Sequence, residues 1–325
     1  MEQTQVSGSA TGSSIGAAVL AAPAPRGFMR TKRARVMGFC HGVKKAFENA
    51  VAVADERATA PRPMVLSGDI VHNADVVNFV REKGLTVMES PEVVRDSTVL
   101  IRTHGATKQA MTVLEQNHNE IIDLTCGIVI KAHEAAKELQ TRHPMVVITG
   151  RKQHPEVVGA LSYLDFAFAV ENAEDVAALP RVLPNGQKIR SVGVVTQTTF
   201  GVDKFHLIMG QLLTRYGRVE AIDTVCDYTE VNQATSLELA READVMLVVG
   251  GLNSSNSLEL FRVVEAVNPR THFLQNESQI DLDWFRPEDT LVGISAGAST
   301  PEWIIRAIEA RVESIQMEEL ATATH

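Results

Sequence analysis

The sequence feature that most constrains the fold is a threefold repetition centred on cysteine. The chain of 325 residues contains three cysteines, Cys40, Cys126 and Cys226. Each of them follows a run of β-branched and apolar residues and precedes a segment with the periodicity of an amphipathic helix. Each cysteine is therefore predicted to lie where a strand ends and a helix begins.

Two further strand–turn–helix units follow each cysteine in the same order. In the first of these units the strand ends at a glycine, which is Gly68, Gly150 or Gly250. One matching element could arise by chance, but three elements in the same order, three times, are not explained that way. The repetition predicts an α/β fold of three related modules of about 100 residues, within the usual range of domain sizes. Alternating strands and helices favour small parallel sheets covered by helices.

The repeats also predict module boundaries. These are 35–119 for module 1, 120–218 for module 2 and 219–313 for module 3. The segment 1–34 is rich in small residues and has no sustained strand or helix period, so we expect a disordered tail there. Residues 314–325 are expected to form a C-terminal tail. If the modules pack about a pseudo-threefold axis, the three cysteines meet at its centre.

Composition limits the class of protein. The net charge of −9 argues against a general nucleic-acid binder, which needs clustered Lys and Arg. No apolar run approaches the roughly 20 residues of a membrane span. Three widely separated cysteines do not resemble a disulfide framework, which predicts a reducing compartment. We expect a cytoplasmic protein, or a plastid one if the basic N-terminal segment is a transit peptide.

The three cysteines indicate a metal centre. In open α/β sheets the ligand crevice lies at the carboxyl ends of the strands, and all three thiols are predicted at such edges. Three thiolates leave one coordination position open. This suits either a zinc ion with a bound water or an iron–sulfur cluster with one free iron, and periodicity does not choose between them. A cysteine taken singly is more often a small buried residue than a ligand.

Polar residues at the equivalent loops predict an anion site. Taken singly, a Ser or Asn just before a helix is often only an N-cap. Gathered around one axis, however, hydroxyls, amides, imidazoles and helix N-termini would bind an anion. The chain has neither a G-x-x-x-x-G-K-[ST] loop nor a G-x-G-x-x-G fingerprint, which favours a small phosphorylated substrate over a nucleotide. The loop residues are His72, Asn73, His104, His154, Thr198, Thr199, Ser254, Ser255, Asn256 and Ser299.

Glu156 is the candidate general acid. It lies two residues after His154, in the segment QHPEVVG. A glutamate in the first turn of a helix is also favoured by the helix dipole, with Pro155 at the first helical position. The sequence gives these two roles equal weight. A carboxylic acid beside a substrate and an open metal position can donate a proton.

Nine motifs resemble the signature segments of a known enzyme family. In order they are GFCHGV, SGDIVHN, THG, DLTC, HPEVVG, TQTT, DTVC, NSSNS and SAGASTP. They are similar to those of the 4-hydroxy-3-methylbut-2-enyl diphosphate reductases, the terminal enzymes of the methylerythritol phosphate route to isoprenoids. The similarity covers the chain except for its two tails. Each motif alone is weak, but nine in the right order, with all three cysteines included, are highly specific.

The resemblance implies a mechanism and a set of site residues. Cys40, Cys126 and Cys226 would hold one [4Fe-4S] cluster at the centre of the fold, with one open iron that binds the substrate hydroxyl. Two electrons and two protons would remove this hydroxyl as water and give isopentenyl diphosphate and dimethylallyl diphosphate. Glu156 would be the proton donor, working with Thr198. The implied substrate-binding residues are His72, His104, His154, Thr198, Ser254, Ser255, Asn256 and Ser299.

The resemblance also implies two partners. They are the small diphosphate substrate and an electron donor of the ferredoxin or flavodoxin type, with no role for nucleic acid or membrane. We expect protonated His72 or His104 to add positive charge for the diphosphate. Two other classes stay open, a redox sensor that uses the same cluster as a signal and a zinc-dependent hydrolase. The anion-binding side chains and Glu156 argue against the sensor.

Overall fold

The computed structural model describes residues 29–58, 62–286 and 288–322. Within these ranges, twelve strands and nine α-helices follow one another along the chain. The strands are β1 (Arg30–Arg33), β2 (Met64–Leu66), β3 (Thr86–Val87), β4 (Thr98–Ile101), β5 (Glu120–Asp123), β6 (Val146–Thr149), β7 (Ala167–Val170), β8 (Ser191–Thr196), β9 (Arg218–Ala221), β10 (Val245–Val249), β11 (Thr271–Leu274) and β12 (Leu291–Ala296). The helices are α1 (His41–Glu56), α2 (Ala74–Glu82), α3 (Lys108–Gln116), α4 (Gly127–Arg142), α5 (Pro155–Leu161), α6 (Val202–Arg215), α7 (Asp227–Ala240), α8 (Ser255–Glu265) and α9 (Glu302–Thr322).

The strands of the described ranges form three parallel sheets of four strands each. Sheet I has the order β3-β2-β4-β5, sheet II the order β7-β6-β8-β9, and sheet III the order β11-β10-β12-β1. All neighbouring strands run parallel; in sheet II, for example, Val147 of β6 pairs with Val194 of β8. The shared strand order confirms the predicted α/β fold of three related modules with small parallel sheets.

The inner strands are apolar because both faces of each sheet are covered. β6 reads VVIT and β10 reads VMLVV, and every side chain in these two strands is buried. Uninterrupted apolar runs of this kind are typical of parallel strands inside an α/β sheet. The outer strands β5 and β9 are partly exposed and carry acidic residues. The burial of each sheet therefore follows from its strand sequences.

Each cysteine lies where the chain leaves one sheet and enters the next module. β5 belongs to sheet I, whereas α4, which follows Cys126, packs on β8 of sheet II. β9 belongs to sheet II, whereas α7, which follows Cys226, packs on β12 of sheet III. β1 pairs with β12 in sheet III, whereas α1, which follows Cys40, packs on the core of sheet I. The chain thus links the three sheets in a closed ring.

This arrangement differs from the boundaries drawn from the sequence. The modules 35–119, 120–218 and 219–313 assigned the strands at Glu120–Asp123 and Arg218–Ala221 to the following module. Their hydrogen bonds instead complete the sheet of the preceding module. Helical and strand periods locate a strand, but they do not reveal which neighbour it pairs with.

The prediction of a disordered tail at residues 1–34 is also wrong for its last residues. Arg30–Arg33 falls inside the predicted disordered tail 1–34, but it forms β1, and the adjacent Ala34 is buried. The strand forms because its backbone pairs with the otherwise open edge of β12. The remainder of the predicted tail, residues 1–28, lies outside the described residues.

At the other end, α9 runs through most of the segment 314–325 that was expected as a tail. Its residues Ile308, Val312 and Ile315 are buried in the core of sheet III, which favours a helix there. No helix in the described part of the chain has both the length and the apolar composition needed to cross a membrane.

Candidate active site

The three cysteines occupy equivalent N-cap positions. Cys40, Cys126 and Cys226 have extended backbone angles directly before α1, α4 and α7. Sγ of Cys40 accepts a hydrogen bond from the backbone N of Val43 at 3.4 Å. A thiolate at a helix N-terminus is stabilised by the backbone N–H groups and the helix dipole. The fold therefore places three thiols, each at a helix N-terminus, in the wall of one cavity.

The thiols also lie close together. A methyl group on Gly42 would lie 2.7 Å from Sγ of Cys126 and 4.0 Å from Sγ of Cys40, so this close approach requires a glycine. Burial raises the pKa of the Cys40 and Cys226 thiols, and neighbouring cysteines raise it further. Three adjacent thiolates consequently need a cation to compensate them. This donor set fits a three-cysteine iron–sulfur cluster, and it equally fits zinc.

Three imidazoles form a cluster in the same cavity. The rings of His72 and His104 stack with their centroids 4.6 Å apart, and His154 stands edge-on to both, at 5.5 and 5.2 Å. One ring nitrogen of each residue lies within 4.8 Å of the others, close enough to share one ligand. Nε2 of His72 and Nδ1 of His104 are buried without a hydrogen-bond partner among the described residues. Because unpaired buried polar atoms are costly, they indicate a ligand that this site binds.

Burial disfavours protonation of the three imidazoles in the ligand-free protein. Burial is the main cause that lowers the pKa of each ring, to about 3 for His154 and well below the usual value for His104. The positive charge of Arg102 lowers all three further. The sequence argument expected protonated His72 or His104 to supply positive charge. In the ligand-free protein burial works against such protonation, and for the diphosphate-bound site the expectation stays a prediction.

The loops of sheet III bring hydroxyl and amide groups to the cavity. Oγ of Ser254 accepts hydrogen bonds from the backbone N of Ser257 at 3.3 Å and from Oγ of Ser257 at 2.9 Å. Oγ of Ser299 donates to Oγ of Ser254 at 3.2 Å. Oδ1 of Asn256 accepts from the backbone N of Ala298 at 2.8 Å. These groups are therefore held in place by protein hydrogen bonds, unlike the unpaired imidazole nitrogens.

Glu156 and Thr198 form a buried pair. Glu156 lies in the first turn of α5 and is only 4% exposed. Its Oε1 accepts a hydrogen bond from the backbone N of Thr198 at 2.7 Å, and its Oε2 accepts from Oγ1 of Thr198 at 2.9 Å. Burial raises the pKa of Glu156 to about 7, against the opposing effect of these two bonds. A carboxyl group that is partly protonated near neutral pH has the chemistry of a general acid.

One cavity collects the three cysteines and every catalytic and substrate-binding residue that the family resemblance implies. The volume that the centre of a water-sized molecule can occupy inside it is about 100 Å³. The individual roles of these residues stay predictions. The wall includes Cys40, Cys126, Cys226, His72, His104, His154, Glu156, Thr198, Ser254, Ser255, Asn256 and Ser299.

The other loop residues divide between the cavity and helix capping. Thr199 lines the cavity. Asn73 caps α2, since its Oδ1 accepts hydrogen bonds from the backbone N of Asp75 and of Val76, at 3.1 and 3.3 Å. Asn73 is therefore better interpreted as the N-cap of α2 than as a residue of the anion site.

Sequence reasoning missed several residues at this centre. Tyr228 and Thr229 line the cavity, and their place in the first turn after Cys226 is the signal that could have identified them. The charge of Arg102 contributes to the lowered pKa of His104, and the closeness of the two residues in the sequence was the available hint.

Comparison with known proteins identifies the family of the chain. Residues 31–313 match the model of the LytB protein family. The chain is 37% identical to the 4-hydroxy-3-methylbut-2-enyl diphosphate reductase of Pelobacter propionicus, over 88% of this chain and 99% of that protein. It is 35% identical to the protein of the same name from Aquifex aeolicus, over 86% of this chain and 94% of the other.

Solved structures agree as well. A structure of (E)-4-hydroxy-3-methyl-but-2-enyl diphosphate reductase, described as the terminal enzyme of the non-mevalonate pathway, matches with a TM-score of 0.64 and 34% identity, over 87% of this chain and 99% of that chain. The E-1-hydroxy-2-methyl-but-2-enyl-4-diphosphate reductase of Plasmodium falciparum matches with a TM-score of 0.74 and 25% identity, over 86% of each chain. The resemblance inferred from the motifs is thus confirmed: the chain is an enzyme, and it belongs to the LytB family.

Proposed function

We propose that this enzyme reductively removes the hydroxyl group of 4-hydroxy-3-methylbut-2-enyl diphosphate. Two electrons and two protons release the hydroxyl as water and give isopentenyl diphosphate and dimethylallyl diphosphate. The names of the relatives support a reductase of the isoprenoid route. The observation that carries the proposal is the meeting of three thiols, three imidazoles and the Glu156–Thr198 pair in one cavity.

Cys40, Cys126 and Cys226 would hold one [4Fe-4S] cluster with one iron that has no protein ligand. Their equivalent N-cap positions and the close approach allowed by Gly42 fit this ligand set. When bound, the cluster would supply electrons and a Lewis-acidic iron, and zinc does not supply electrons.

The imidazole and hydroxyl groups bind the diphosphate in this proposal. His72 and His104 contribute buried ring nitrogens that lack a protein partner. Neutral imidazole N–H groups can donate to phosphate oxygens, and hydrogen bonds to charged groups are the stronger ones. Ser254, Asn256 and Ser299 already lie in a fixed network. Little side-chain freedom is therefore lost when the anion binds.

Glu156 donates a proton in the proposed reaction. With its pKa raised to about 7 by burial, it holds a proton for part of the time at neutral pH. After the transfer, the carboxylate accepts both hydrogen bonds from Thr198, which stabilise its new charge. Thr198 thus orients the carboxyl group before the transfer and stabilises the carboxylate after it.

The proposal needs an electron donor, which we assign to the ferredoxin or flavodoxin type. A cytoplasmic location agrees with three cysteines that form no disulfide, and it stays a prediction. We keep the module boundaries as a proposal as well, with the strand before each cysteine moved to the preceding sheet.

Anaerobic purification followed by an assay tests the function. We expect a brown protein with about four iron and four sulfide per chain. With a low-potential chemical reductant it should convert 4-hydroxy-3-methylbut-2-enyl diphosphate into the two diphosphate products, measured by chromatography. A colourless protein with one zinc would favour the hydrolase, and a cluster-loaded protein without turnover would favour the redox sensor.

A further inference from the structure

The connection that leads from a strand to Cys40 is longer than the connections to the other two cysteines. In chain order, the three connections are residues 34–39, 124–125 and 222–225. A longer connection has more conformations to lose, so it needs more contacts to hold a metal ligand at one position. The anchors of the Cys40 connection therefore matter most for a centre that three cysteines share.

The two shorter connections are braced by their own side chains. An aspartate lies three residues before the cysteine in both. Oδ1 of Asp123 accepts a hydrogen bond from the backbone N of the residue before the cysteine at 2.8 Å, and Oδ1 of Asp223 does the same at 3.0 Å. The equivalent residue before Cys40 is Met37, whose thioether is only a weak acceptor. The Cys40 connection consequently depends on groups from elsewhere in the chain.

Sheet III holds one side of the Cys40 connection. The backbone N–H groups of Ala34, Gly38 and Cys40 donate to alternate carbonyls of β12 and of the loop after it, at 2.9, 3.1 and 3.3 Å. These bonds use the N–H groups of the connection. Its carbonyl groups are left for a second partner.

That second partner is one face of α7. The hydroxyl group of Tyr228 donates a hydrogen bond to the carbonyl oxygen of Gly38. Nδ2 of Asn232 donates to the carbonyl oxygen of Val36 at 3.1 Å, and Oγ1 of Thr235 accepts from the backbone N of Val36 at 3.4 Å. Spacings of four and three residues place these three side chains on the same face of the helix. The helix thus presents a row of hydrogen-bonding groups to the connection.

The bond made by Tyr228 joins the segments of two cysteines. Tyr228 lies in the first turn of α7, two residues after Cys226, and it lines the cavity. Its acceptor Gly38 lies two residues before Cys40 and adopts φ +74, a left-handed conformation that favours glycine. A single hydrogen bond therefore links the place where one ligand segment ends to the place where another begins.

We propose that Tyr228 is a positioning residue of the metal centre, which holds the Cys40 connection from the helix that begins at Cys226. The inference rests on the proposed function, because it takes Cys40 as a ligand of that centre. Tyr228 takes the part that an aspartate has in the other two connections. Without its hydroxyl group, Cys40 should leave the metal more often than the other cysteines do.

Alkylation of the cluster-loaded enzyme with iodoacetamide under nitrogen tests the inference. A thiolate bound to the metal is shielded, so the initial alkylation rate of each cysteine reports how often it is released. In Tyr228→Phe the rate at Cys40, divided by the rate at Cys126, should rise about three- to tenfold, the factor that corresponds to one lost hydrogen bond. Mass spectrometry of the peptides measures all three cysteines in one sample.

Tyr216→Phe is the matched control. The hydroxyl group of Tyr216 donates to the carbonyl oxygen of Pro180 at 2.9 Å, which is the same kind of bond in the core of sheet II. Its loss should lower the melting temperature about as much as Tyr228→Phe does. The alkylation ratio should stay within about twofold of the parental value, because no cysteine connection loses an anchor.

Thr235→Val is a second, milder variant. It keeps the shape of the side chain and removes the long bonds between Thr235 and Val36. The alkylation ratio should rise by about twofold, because these bonds are longer and weaker than an ordinary hydrogen bond. Iron content and melting temperature of each variant report whether the cluster and the fold are retained.

A parental alkylation ratio in folded Tyr228→Phe would overturn the inference. An equal rise at all three cysteines would also overturn it, because general loosening of the fold predicts that pattern. The same holds if Tyr216→Phe raises the ratio as much as Tyr228→Phe does. If Tyr228→Phe does not fold, a parental ratio in Thr235→Val decides against the inference. The ratio depends neither on turnover nor on which metal the cysteines bind, so a parent enzyme that lacks reductase activity would contradict the proposed function alone.

Discussion

The equivalent loops of the three sheets differ in chemistry although their backbones correspond. The loops after β2 and β6 place His72 and His154 at the cavity, whereas the loop after β10 places Ser254 there. The loop after β4 adds His104, and the loop after β12 adds Ser299. Sheet I thus contributes an imidazole from both loops, and sheet III contributes a hydroxyl from both. Sheet II is mixed, with His154 after β6 and the hydroxyls of Thr198 and Thr199 after β8.

The loops that carry hydroxyls and the loops that carry imidazoles also differ in the hydrogen bonds they form before a ligand binds. The hydroxyl groups of sheet III bond to one another, with Ser254 accepting from Ser257 and Ser299. The imidazoles of sheet I keep buried nitrogens without partners among the described residues. We infer that the repeated backbone determines where the side chains meet. The type of side chain then determines whether the polar groups of a loop find hydrogen-bond partners within the protein or only in a bound ligand. The predictions below test this difference.

Cys126→Ser should have the largest effect. Each module contributes one cysteine to the cavity wall, so replacing any of them should abolish the cluster and the turnover together. We expect iron per chain to fall far below the parental value in Cys40→Ser, Cys126→Ser and Cys226→Ser alike. Iron analysis after anaerobic purification measures this. Full iron retention in one of the three variants would show that the three cysteines are not equivalent ligands.

Glu156→Gln should have the next largest effect on turnover. Glu156 occupies a position where the equivalent residues, two after His72 and Ser254, are Ala74 and Asn256. A general acid typically contributes ~10²–10⁴-fold, so we expect a loss of that size with iron content and diphosphate binding retained. Single-turnover kinetics under nitrogen measure the chemical step. Turnover at the parental rate would show that another group supplies the proton.

The same substitution should change how stability depends on pH. Burial raises the pKa of Glu156 from 4.5 to about 7, so the folded state binds this proton more tightly than the unfolded state does. The contribution of the Glu156 proton to the free energy of unfolding is greatest below the pKa of this residue in the unfolded chain. It is lost as the pH rises through the pKa of Glu156 in the folded protein. The loss is on the order of 3 kcal/mol, and Glu156→Gln should remove it. Urea midpoints of both proteins at about pH 5 and about pH 8 test this, and parallel pH profiles would contradict it.

His104→Phe should weaken diphosphate binding and at the same time increase the stability of the ligand-free protein. Loss of an unpaired imidazole should weaken binding of inorganic diphosphate by about 10-fold or more, because a hydrogen bond to a charged group is removed. The ligand-free protein should become more stable by roughly 1 kcal/mol, because the unsatisfied buried Nδ1 is removed with the ring. Calorimetry and urea unfolding measure the two changes. A drop in stability would mean that His104 is satisfied without ligand.

Ser254→Ala should show the opposite pattern at a smaller size. The substitution removes the acceptor of Ser257 and Ser299, so the free energy of unfolding should fall by about 1 kcal/mol. Diphosphate binding should weaken by only about fivefold, since neighbouring hydroxyls remain. Calorimetry measures the change in binding, and urea unfolding measures the change in stability. If Ser254→Ala left stability unchanged, the network would not be formed before binding, and the contrast between the sheets would fail.

The sequence was sufficient for the type of sheet and for most of the cavity wall, because both follow largely from local rules. Apolar runs followed by a turn and an amphipathic helix predict parallel strands, and the carboxyl ends of such strands meet at one edge. This rule brought Cys126, Glu156 and Ser254 together without any knowledge of their distances. Nine ordered motifs supported the same grouping.

Other features depend on contacts between distant parts of the chain. The segment RTKR at Arg30–Arg33 has no apolar alternation, and it becomes a strand only because β12 offers a free edge. Which sheet a strand joins, the unpaired state of His104 and the hydrogen bond from Tyr228 to Gly38 are likewise settled by three-dimensional proximity. No local pattern encodes them.

The pairing of β1 with β12 has a consequence for biosynthesis. A ribosome releases the chain from its N-terminal end, so sheets I and II receive all their strands while β12 is still untranslated. Arg30–Arg33 therefore emerges early and waits for a neighbour that is translated near the end. Among the described sheets, the one that joins β1 to β12 is therefore the last whose strands are all synthesised.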